Sequence, residues 1–319
     1  MAVSVGRHHV LDLLVTLILV AWMTSSGVIV FPHFTDIRRL HMRADVPADS
    51  PALVDWVRSR LWPPSSLPYN LSKPDDECWG QAEQIRVVQA LTRNKTGGFF
   101  IESGALDGER LSNTLVLERR FGWTGLLVEP AESNFQRLVS KRRRAWALQA
   151  CLSHTAGPFT TVFHMTSRGE SGTVEDGLTA DRLRSQEQNV VNTARPPRQH
   201  RATCVPIAAV LRALNRTSVD FFSLDIEGPE MGVLAHIPWN ELDIKILLVE
   251  NLLLFSYNPQ MDQMRDLMES QGYIAMRLTM DWIFVKRNSE YSKNAEEIIR
   301  QTRREILRKT ENIYFPFND

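Results

Sequence analysis

The stretch from Phe99 to Pro130 constrains the fold more than any other part of the chain, because it alternates strand and helix patterns over a short distance. It begins with the apolar run 99–101, which is typical of a buried parallel strand. A turn with two glycines and two acids follows over 102–108, then a helical spacing over 112–120 and a second apolar strand at 125–129. This succession predicts the first half of a nucleotide-binding α/β unit.

Carboxylates and glycines occupy the positions where both strands of this unit end. Glu102, Gly104 and Asp107 follow the first strand, and Glu129 ends the second. Because ligands of open α/β sheets bind beyond the carboxyl ends of the strands, these residues are expected at the ligand edge. Glycine allows a close backbone approach to a ligand, and a carboxylate can accept hydrogen bonds from ribose hydroxyls. The alternative is a tight strand-to-helix connection without a ligand.

A second landmark, residues 219–230 (VDFFSLDIEGPE), is again an apolar strand that ends in acids and glycine, at a distance that suits a fourth strand of the same sheet. Together the two landmarks resemble the FkbM-type methyltransferase domain, a class I fold that uses S-adenosylmethionine. The family's acid-x-Gly-Ala-x-x-Gly turn reads ESGALDG at 102–108, and its Lys-x-Asp-x-Glu-Gly-x-Glu segment reads SLDIEGPE at 223–230. The resemblance covers about residues 78–287. It extends to the animal Star-like subgroup through GFFIESGALDGERLSNTLVLE, GWTGLLVEP, CLS and FFSLDIEGPE.

The resemblance implies a Rossmann-like class I methyltransferase fold, an α/β three-layer sandwich with a C-terminal antiparallel hairpin within 273–286. It implies S-adenosylmethionine as the cofactor, and it places Asp225 and Glu227 beside the reacting centre as catalytic residues. The residues that it assigns to the cofactor are Glu102, Gly104, Ala105, Asp107, Gly108, Asn113 and Glu129. No metal ligand is expected. For Asp225 and Glu227 the alternative interpretation is a capped strand end and turn.

Two positions depart from the family pattern. Ser223 stands where the family has lysine, and Leu106 replaces the asparagine that is commonest in the glycine turn. The missing lysine removes a positive charge next to Asp225 and so changes the electrostatics of the proposed reaction site. This departure favours a protein without methyl transfer: a membrane-anchored, Star-like protein that acts in endoplasmic reticulum-to-Golgi and endosomal trafficking of protein cargo. The alternative function is an active S-adenosylmethionine-dependent O-methyltransferase for a lumenal acceptor such as a sugar hydroxyl.

The net charge and the cysteine spacing give no sign of nucleic acid or a zinc ion as a binding partner. The formal net charge is zero, so no global field favours nucleic acid as a partner. The basic cluster 141–144 has no interleaved aromatic residues and is expected to form a solvated helix end. Cys78, Cys151 and Cys204 lack metal-ligand spacing. In a lumenal domain a disulfide between Cys151 and Cys204 is the natural hypothesis, and three buried thiols are the alternative.

Residues 10–30 are almost entirely apolar or small. About 20 helical residues span a hydrocarbon core of ~30 Å, so a transmembrane signal anchor at 10–31 is predicted. A cleaved signal peptide and a buried helix are the competing interpretations. Flanking arginines favour a cytoplasmic carboxyl side, whereas the glycosylation sequons at Asn70, Asn94 and Asn215 favour a lumenal one. The Star-like resemblance also implies a lumenal domain, on a single-pass type II protein of the endoplasmic reticulum, Golgi, endosome or plasma membrane.

The predicted organisation follows from these features. It consists of a short tail at 1–9, the anchor at 10–31, a stalk at 32–77, the methyltransferase-like domain at 78–287 and a charged helical tail at 288–319. Within the domain, residues 165–203 are rich in Gly, Ser, Glu, Arg and Pro and exceed the length of ordinary loops. A flexible insert is predicted there, with a substrate-covering flap as the alternative.

Overall fold

The computed structural model describes residues 42–77, 80–165, 172–174, 199–250, 259–278 and 281–310. Within these residues the chain forms an α/β unit with two sheets. The strands are β1 (Leu61–Trp62), β2 (Phe99–Ser103), β3 (Thr124–Val128), β4 (Trp146–Leu148), β5 (Cys151–Leu152), β6 (Phe159–Met165), β7 (Gly172–Val174), β8 (Gln199–Val205), β9 (Ser218–Leu224), β10 (Asp243–Glu250), β11 (Tyr273–Arg277) and β12 (Asp281–Lys286). The helices are α1 (Pro51–Arg58), α2 (Ile85–Leu91), α3 (Leu115–Phe121), α4 (Glu132–Ser140), α5 (Ile207–Ala213), α6 (Glu230–Ala235), α7 (Pro259–Ser270) and α8 (Ala295–Thr310).

The larger sheet has the strand order β1-β4-β3-β2-β9-β10-β12-β11. Strands β4, β3, β2, β9 and β10 are parallel, whereas β12 pairs antiparallel with both β10 and β11. The strand order reverses between β2 and β9, and such a switch point leaves a crevice at the carboxyl ends of the strands. The mixed sheet and the C-terminal hairpin β11–β12 confirm the α/β methyltransferase-like fold that the sequence predicted.

The central strands of this sheet are buried on both faces. Phe100 and Phe221 belong to a hydrophobic cluster that contains side chains of α2, α3, α4 and α8. Their neighbours Ile101 and Phe222 are also fully buried. Because successive side chains of a strand point to opposite faces, both faces of the sheet are covered, which is the layered arrangement expected for parallel strands.

Helix α8 is part of this core, although the sequence predicted a separate charged tail at 288–319. Ala295, Ile299 and Ile306 are buried on one face of α8, and they join the same cluster as Ile85 of α2. Their spacing of four and seven residues places them on one stripe of the helix, with charged side chains on the other faces. The domain boundary expected after residue 287 therefore divides one hydrophobic core.

The described part of the predicted stalk also lies within the folded unit. Val57 of α1 is fully buried, and α1 packs against α5. Strand β1 pairs with β4 at the edge of the larger sheet. Farther along, the backbone N–H groups of Ser72 and Lys73 donate to the carboxylate of Glu109. The described residues of the predicted stalk, 42–77, therefore pack against the folded unit and do not form a separate stalk.

Two of the four residues in the basic cluster 141–144 are buried, which corrects the expectation of a solvated helix end. Arg143 is 3% exposed and donates to Glu118, while Lys141 is 8% exposed and donates to Glu109. A buried cation requires such a partner, because an unpaired charge in the interior is costly.

The smaller sheet has the order β5-β8-β6-β7. Strand β5 is parallel to β8, and the other two pairs are antiparallel. Strand β7 and much of β8 fall within 165–203, so residues 172–174 and 199–203 form strands where the sequence predicted a flexible insert; 166–171 and 175–198 lie outside the described residues. Cys151 and Cys204 are register partners on β5 and β8, and a disulfide joins them, which is the pairing hypothesised above.

The predicted anchor at 10–31 and Cys78 lie outside the described residues. In the part of the chain that the structure describes, no helix combines the length and the apolar composition that crossing a bilayer requires.

Candidate functional site

A cavity of about 280 Å³ opens at the carboxyl ends of β2, β3, β9 and β10. It lies at the switch point between β2 and β9, where folds of this kind bind ligands. The smaller sheet supplies apolar side chains to one side of the cavity, including Leu152, Phe163 and Val174. The sequence-predicted site residues that line it are Glu102, Gly104, Ala105, Asn113, Glu129, Asp225 and Glu227.

Gly104 brings the two landmark stretches into contact. Its φ of +85° lies in the left-handed region, and a β-carbon here would come within 1.8 Å of the carbonyl oxygen of Asp225. The N–H of Asp225 in turn donates to the carbonyl of Ser103 at 3.1 Å. Glycine is required both by this backbone angle and by this close approach. The ends of β2 and β9 therefore meet at one point of the sheet edge.

The buried carboxylate of Glu102 accepts hydrogen bonds from the loop that follows the glycine turn. Glu102 is 4% exposed; its Oε1 accepts from the N–H of Asn113 at 2.6 Å, and its Oε2 accepts from the hydroxyls of Ser112 and Thr114 at 2.9 and 2.5 Å. Burial raises the pKa of Glu102, while the charge of Arg143 and these hydrogen bonds oppose the rise. Through these three hydrogen bonds Glu102 positions the loop at the cavity wall.

Glu129 ends β3 with its carboxylate at the cavity wall. Its Oε2 accepts from the N–H of Leu106 at 2.9 Å, and its Oε1 accepts from the N–H of Ala131 and the side-chain amide of Asn134 at 2.9 and 3.3 Å. Burial raises the pKa of Glu129 to about 7, and these hydrogen bonds limit the rise. A carboxylate oxygen has room for two hydrogen bonds, so Oε2 can accept one more from a ligand.

Asp107 and Gly108 lie outside the cavity lining, although the sequence assigned both to the cofactor. The carboxylate of Asp107 accepts from the N–H groups of Glu109 and Arg110, which closes a local turn. Gly108 lies against Leu138 of α4, where an added β-carbon would approach the leucine side chain to 3.1 Å. Both residues shape the loop and do not face the site.

Asn113 and Ser223 form a buried pair on the cavity wall. The side-chain amide of Asn113 donates to the hydroxyl of Ser223 at 2.9 Å. Ser223 thus places a hydrogen-bonded hydroxyl two residues before Asp225, where the family pattern has a lysine. Within the described residues, the Oδ1 atom of Asn113 is enclosed and has no hydrogen-bond partner. It lies against Gly80, where an added β-carbon would approach it to 2.4 Å.

Carboxylates gather at the ends of β9 and β10, which line the cavity, and at the start of the neighbouring strand β12. One oxygen each from Asp225, Glu227 and Glu250 lies within 4.8 Å of the others. Asp281, the register partner of Glu250, adds a fourth carboxylate. Burial and the charge of Asp225 raise the pKa of Asp281 to about 7, against a hydrogen bond from Gln84. A group of this kind can accept a proton or bind a cation.

Some cavity residues were not predicted from the sequence. Glu250 could have been found by treating every acid at the carboxyl end of a central strand as a candidate. Asn134 follows β3 on α4 and supports Glu129. Phe163 and Val174 had no local signal, because they reach the cavity through the smaller sheet.

Residues 102–275, more than half of the chain, match the family described as methyltransferase FkbM domain. The matched span includes the glycine turn, Glu129 and the carboxylates from Asp225 to Glu250. A comparison with curated protein sequences found no match.

Solved structures with methyltransferase domains are similar to this chain at low identity. The METTL16 methyltransferase domain is 11% identical, covers 70% of this chain and 74% of its own, and has a TM-score of 0.39. A SAM-dependent methyltransferase from Aquifex aeolicus is 11% identical, with coverages of 66% and 93% and a TM-score of 0.32. Precorrin-6y C5,15-methyltransferase from Geobacter metallireducens GS-15 is 9% identical, with coverages of 61% and 72% and a TM-score of 0.32.

Proposed function

Since this chain belongs to the methyltransferase FkbM domain family, we propose that it binds S-adenosylmethionine in the switch-point cavity and methylates a hydroxyl group of an acceptor. One observation carries the proposal. The glycine turn after β2, Glu129 after β3, and Asp225 with Glu227 after β9 are separated along the chain, yet they line a single cavity.

The residues of the cavity fit the polar part of this cofactor. Glu129 can accept a hydrogen bond from a ribose hydroxyl, and Gly104 leaves the backbone open to a close approach. Bound S-adenosylmethionine supplies a methyl group that is already activated on a sulfonium sulfur.

The protein's own part is to hold the acceptor and to take its proton. Asp225 and Glu227 line the cavity beside Gly104, so either carboxylate can accept the hydroxyl proton. With the cofactor bound, its methyl group would pass from sulfur to the acceptor oxygen, while Asp225 or Glu227 would hold the proton that this oxygen loses. Leu152, Phe163 and Val174 present apolar surface that limits access of water to this space.

Isothermal titration of the purified full chain with S-adenosylmethionine tests the proposal. We expect saturable binding with a Kd below ~1 mM, and we expect Glu129→Ala to weaken it by ~10-fold because a charged acceptor is removed. Glu132→Ala is the matched control, since Glu132 is exposed at the start of α4, outside the cavity lining. Absence of binding at millimolar cofactor, with wild-type protein that is folded by circular dichroism, contradicts the proposal.

A second candidate is the Star-like trafficking function. We propose that the chain is a single-pass type II glycoprotein whose folded unit lies in the lumen of the endoplasmic reticulum, Golgi or endosome, or outside the plasma membrane, where it binds protein cargo. The disulfide between Cys151 and Cys204 supports this, because disulfides persist in oxidising compartments. The sequon residues Asn70, Asn94 and Asn215 are exposed, as glycan attachment requires.

Two measurements in cells separate these functions. A glycosidase should increase the gel mobility of the expressed full chain but not that of a variant with all three sequon asparagines changed to Gln; equal mobility before and after treatment contradicts lumenal placement. If trafficking is independent of methyl transfer, cargo delivery should persist in Glu129→Ala at the wild-type level. If Glu129→Ala loses both cofactor binding and cargo delivery, the result favours the methyltransferase function.

A further inference from the structure

Negative charge is concentrated at one edge of the larger sheet. Asp225 directly follows β9, whose end pairs with the end of β10, so it lies beside Glu250. Together with Glu227 these residues bring one carboxylate oxygen each to within 4.8 Å of the others. Oxygens of like charge at these distances repel one another, so the arrangement favours a positive charge among them.

Asp281 provides a second, independent observation. It is 7% exposed, and its Oδ2 atom has no hydrogen-bond partner among the residues that the structure describes. Because Asp281 is opposite Glu250 in an antiparallel pair, both side chains point to the same face of the sheet. Its carboxylate interacts with the charge of Asp225, and Gln84, which lines the cavity, donates to it. The carboxylate of Asp281, with its buried Oδ2 atom, therefore lies on the same face of the sheet as Glu250 and interacts with the charge of Asp225.

We propose that Asp225, Glu227 and Glu250 bind a divalent cation of the kind that prefers oxygen ligands, such as Mg²⁺ or Mn²⁺. Carboxylates are typical ligands of these ions, and Mg²⁺ retains several waters in an octahedral shell. Asp281 is the register partner of Glu250, and a cation bound nearby would favour its ionised form, whose negative charge strengthens binding. The sequence predicted no metal because the ligands come from two separate strand ends and form no short motif.

The position of this cation suggests the chemical class of the acceptor, a step that rests on the proposed function. Three protein oxygens leave further coordination positions that face the cavity. An acceptor with two neighbouring oxygens, such as the vicinal diol of a sugar, can occupy two of them. A bound cation would favour the deprotonated hydroxyl; the proton would pass to a carboxylate or to water, and the oxygen would bond to the methyl carbon as the bond from that carbon to sulfur breaks.

Titration of the purified full chain with MnCl₂ tests the site without cofactor or acceptor. Electron paramagnetic resonance measures the free aqueous ion, and we expect one Mn²⁺ to bind per chain. Asp225→Asn with Glu250→Gln should lower the affinity by more than ~10-fold, and Asp281→Asn by ~10-fold. Glu269→Gln, which removes an exposed carboxylate on α7, should retain the wild-type affinity.

Thermal unfolding provides a readout that does not depend on the resonance signal. MnCl₂ should raise the Tm of the wild type and of Glu269→Gln, because a ligand that binds only the folded state stabilises it. It should leave the Tm of the double variant unchanged; if the double variant does not fold, Asp225→Asn alone takes its place. Equal Mn²⁺ affinity in the wild type and the carboxylate variants, or an equal Tm shift, overturns the cation site.

Failure of the cation site is distinguishable from failure of the proposed function. Cofactor titration in the presence of EDTA measures S-adenosylmethionine binding alone, and the MnCl₂ titration measures the cation alone. Cofactor binding without Mn²⁺ binding overturns only the cation site. Mn²⁺ binding without cofactor binding supports the site and overturns the methyltransferase function.

Discussion

Leu106 has a left-handed backbone angle at the position where the family pattern most often has asparagine. Its φ is +52°, and its N–H donates to the carboxylate of Glu129. A left-handed angle costs a residue with a β-carbon about 1–2 kcal/mol, and asparagine tolerates it better than most residues do. The asparagine that the family pattern prefers in this turn is compatible with this angle, whereas leucine adopts it at a cost in conformational free energy.

Replacing Leu106 should therefore stabilise the protein. We expect Leu106→Asn to raise the free energy of unfolding by ~0.5–1 kcal/mol, because the strained angle becomes more acceptable. Leu67→Asn is the control: Leu67 is an exposed leucine whose φ is not positive, and its replacement should change stability by less than ~0.5 kcal/mol. Urea denaturation measures both. A Leu106→Asn protein that is less stable than Leu67→Asn contradicts this account.

The sequence predicted which residues end the strands better than it predicted which charged residues are buried. Glu129 and Asp225 directly follow apolar runs, so a local pattern is enough to place them at the sheet edge. No such pattern indicated that Arg143 is buried, because its partner Glu118 is 25 residues away, on α3. Burial of a charged side chain depends on a tertiary pairing that composition does not reveal.

At the level of elements, the larger sheet could be predicted and the smaller one could not. Strands β2, β3, β9 and β10 are apolar runs of the kind that central parallel strands require. Strands β5 to β8 are short or alternate in polarity, and β6 pairs with β8 across a long connection. Their register depends on that distant pairing, so the sequence suggested a flexible insert at 165–203, where the structure has β7 and most of β8.

Helix α8 gives a test of the element boundaries. Ile299 is fully buried in the core, so Ile299→Ala should lower the free energy of unfolding by about 2–5 kcal/mol through the cavity that it leaves. Arg303 is exposed on the same helix, and Arg303→Ala should change it by less than ~0.5 kcal/mol. Chemical denaturation of the full chain measures both. Equal, small effects would mean that α8 is the separate tail that the sequence predicted.

For the whole molecule, two sets of acidic groups determine the response to pH. The pKa of Glu109 is lowered to about 2. Burial by itself would raise this pKa, but hydrogen bonds from Lys141 and from backbone N–H groups outweigh the effect of burial. Such a group stabilises the fold above its unfolded pKa of about 4.3, and that stability is lost as pH falls toward the folded value. Glu129 acts in the opposite way. Burial raises its pKa to about 7, so the folded state binds more protons between about pH 4.3 and 7.

Stability should therefore be greatest near about pH 5 and decline toward about pH 8, where Glu129 must ionise inside the protein. We expect the Tm of the full chain to fall over this interval without ligand. Glu129→Gln removes the titrating group, so its Tm should fall less steeply, even though its amide fits the three donors less well and lowers the Tm at pH 5. Glu132→Gln, at the exposed neighbouring site, should retain the wild-type slope. Scanning calorimetry across a pH series measures these slopes, and a wild-type slope shared by Glu129→Gln contradicts the assignment to Glu129.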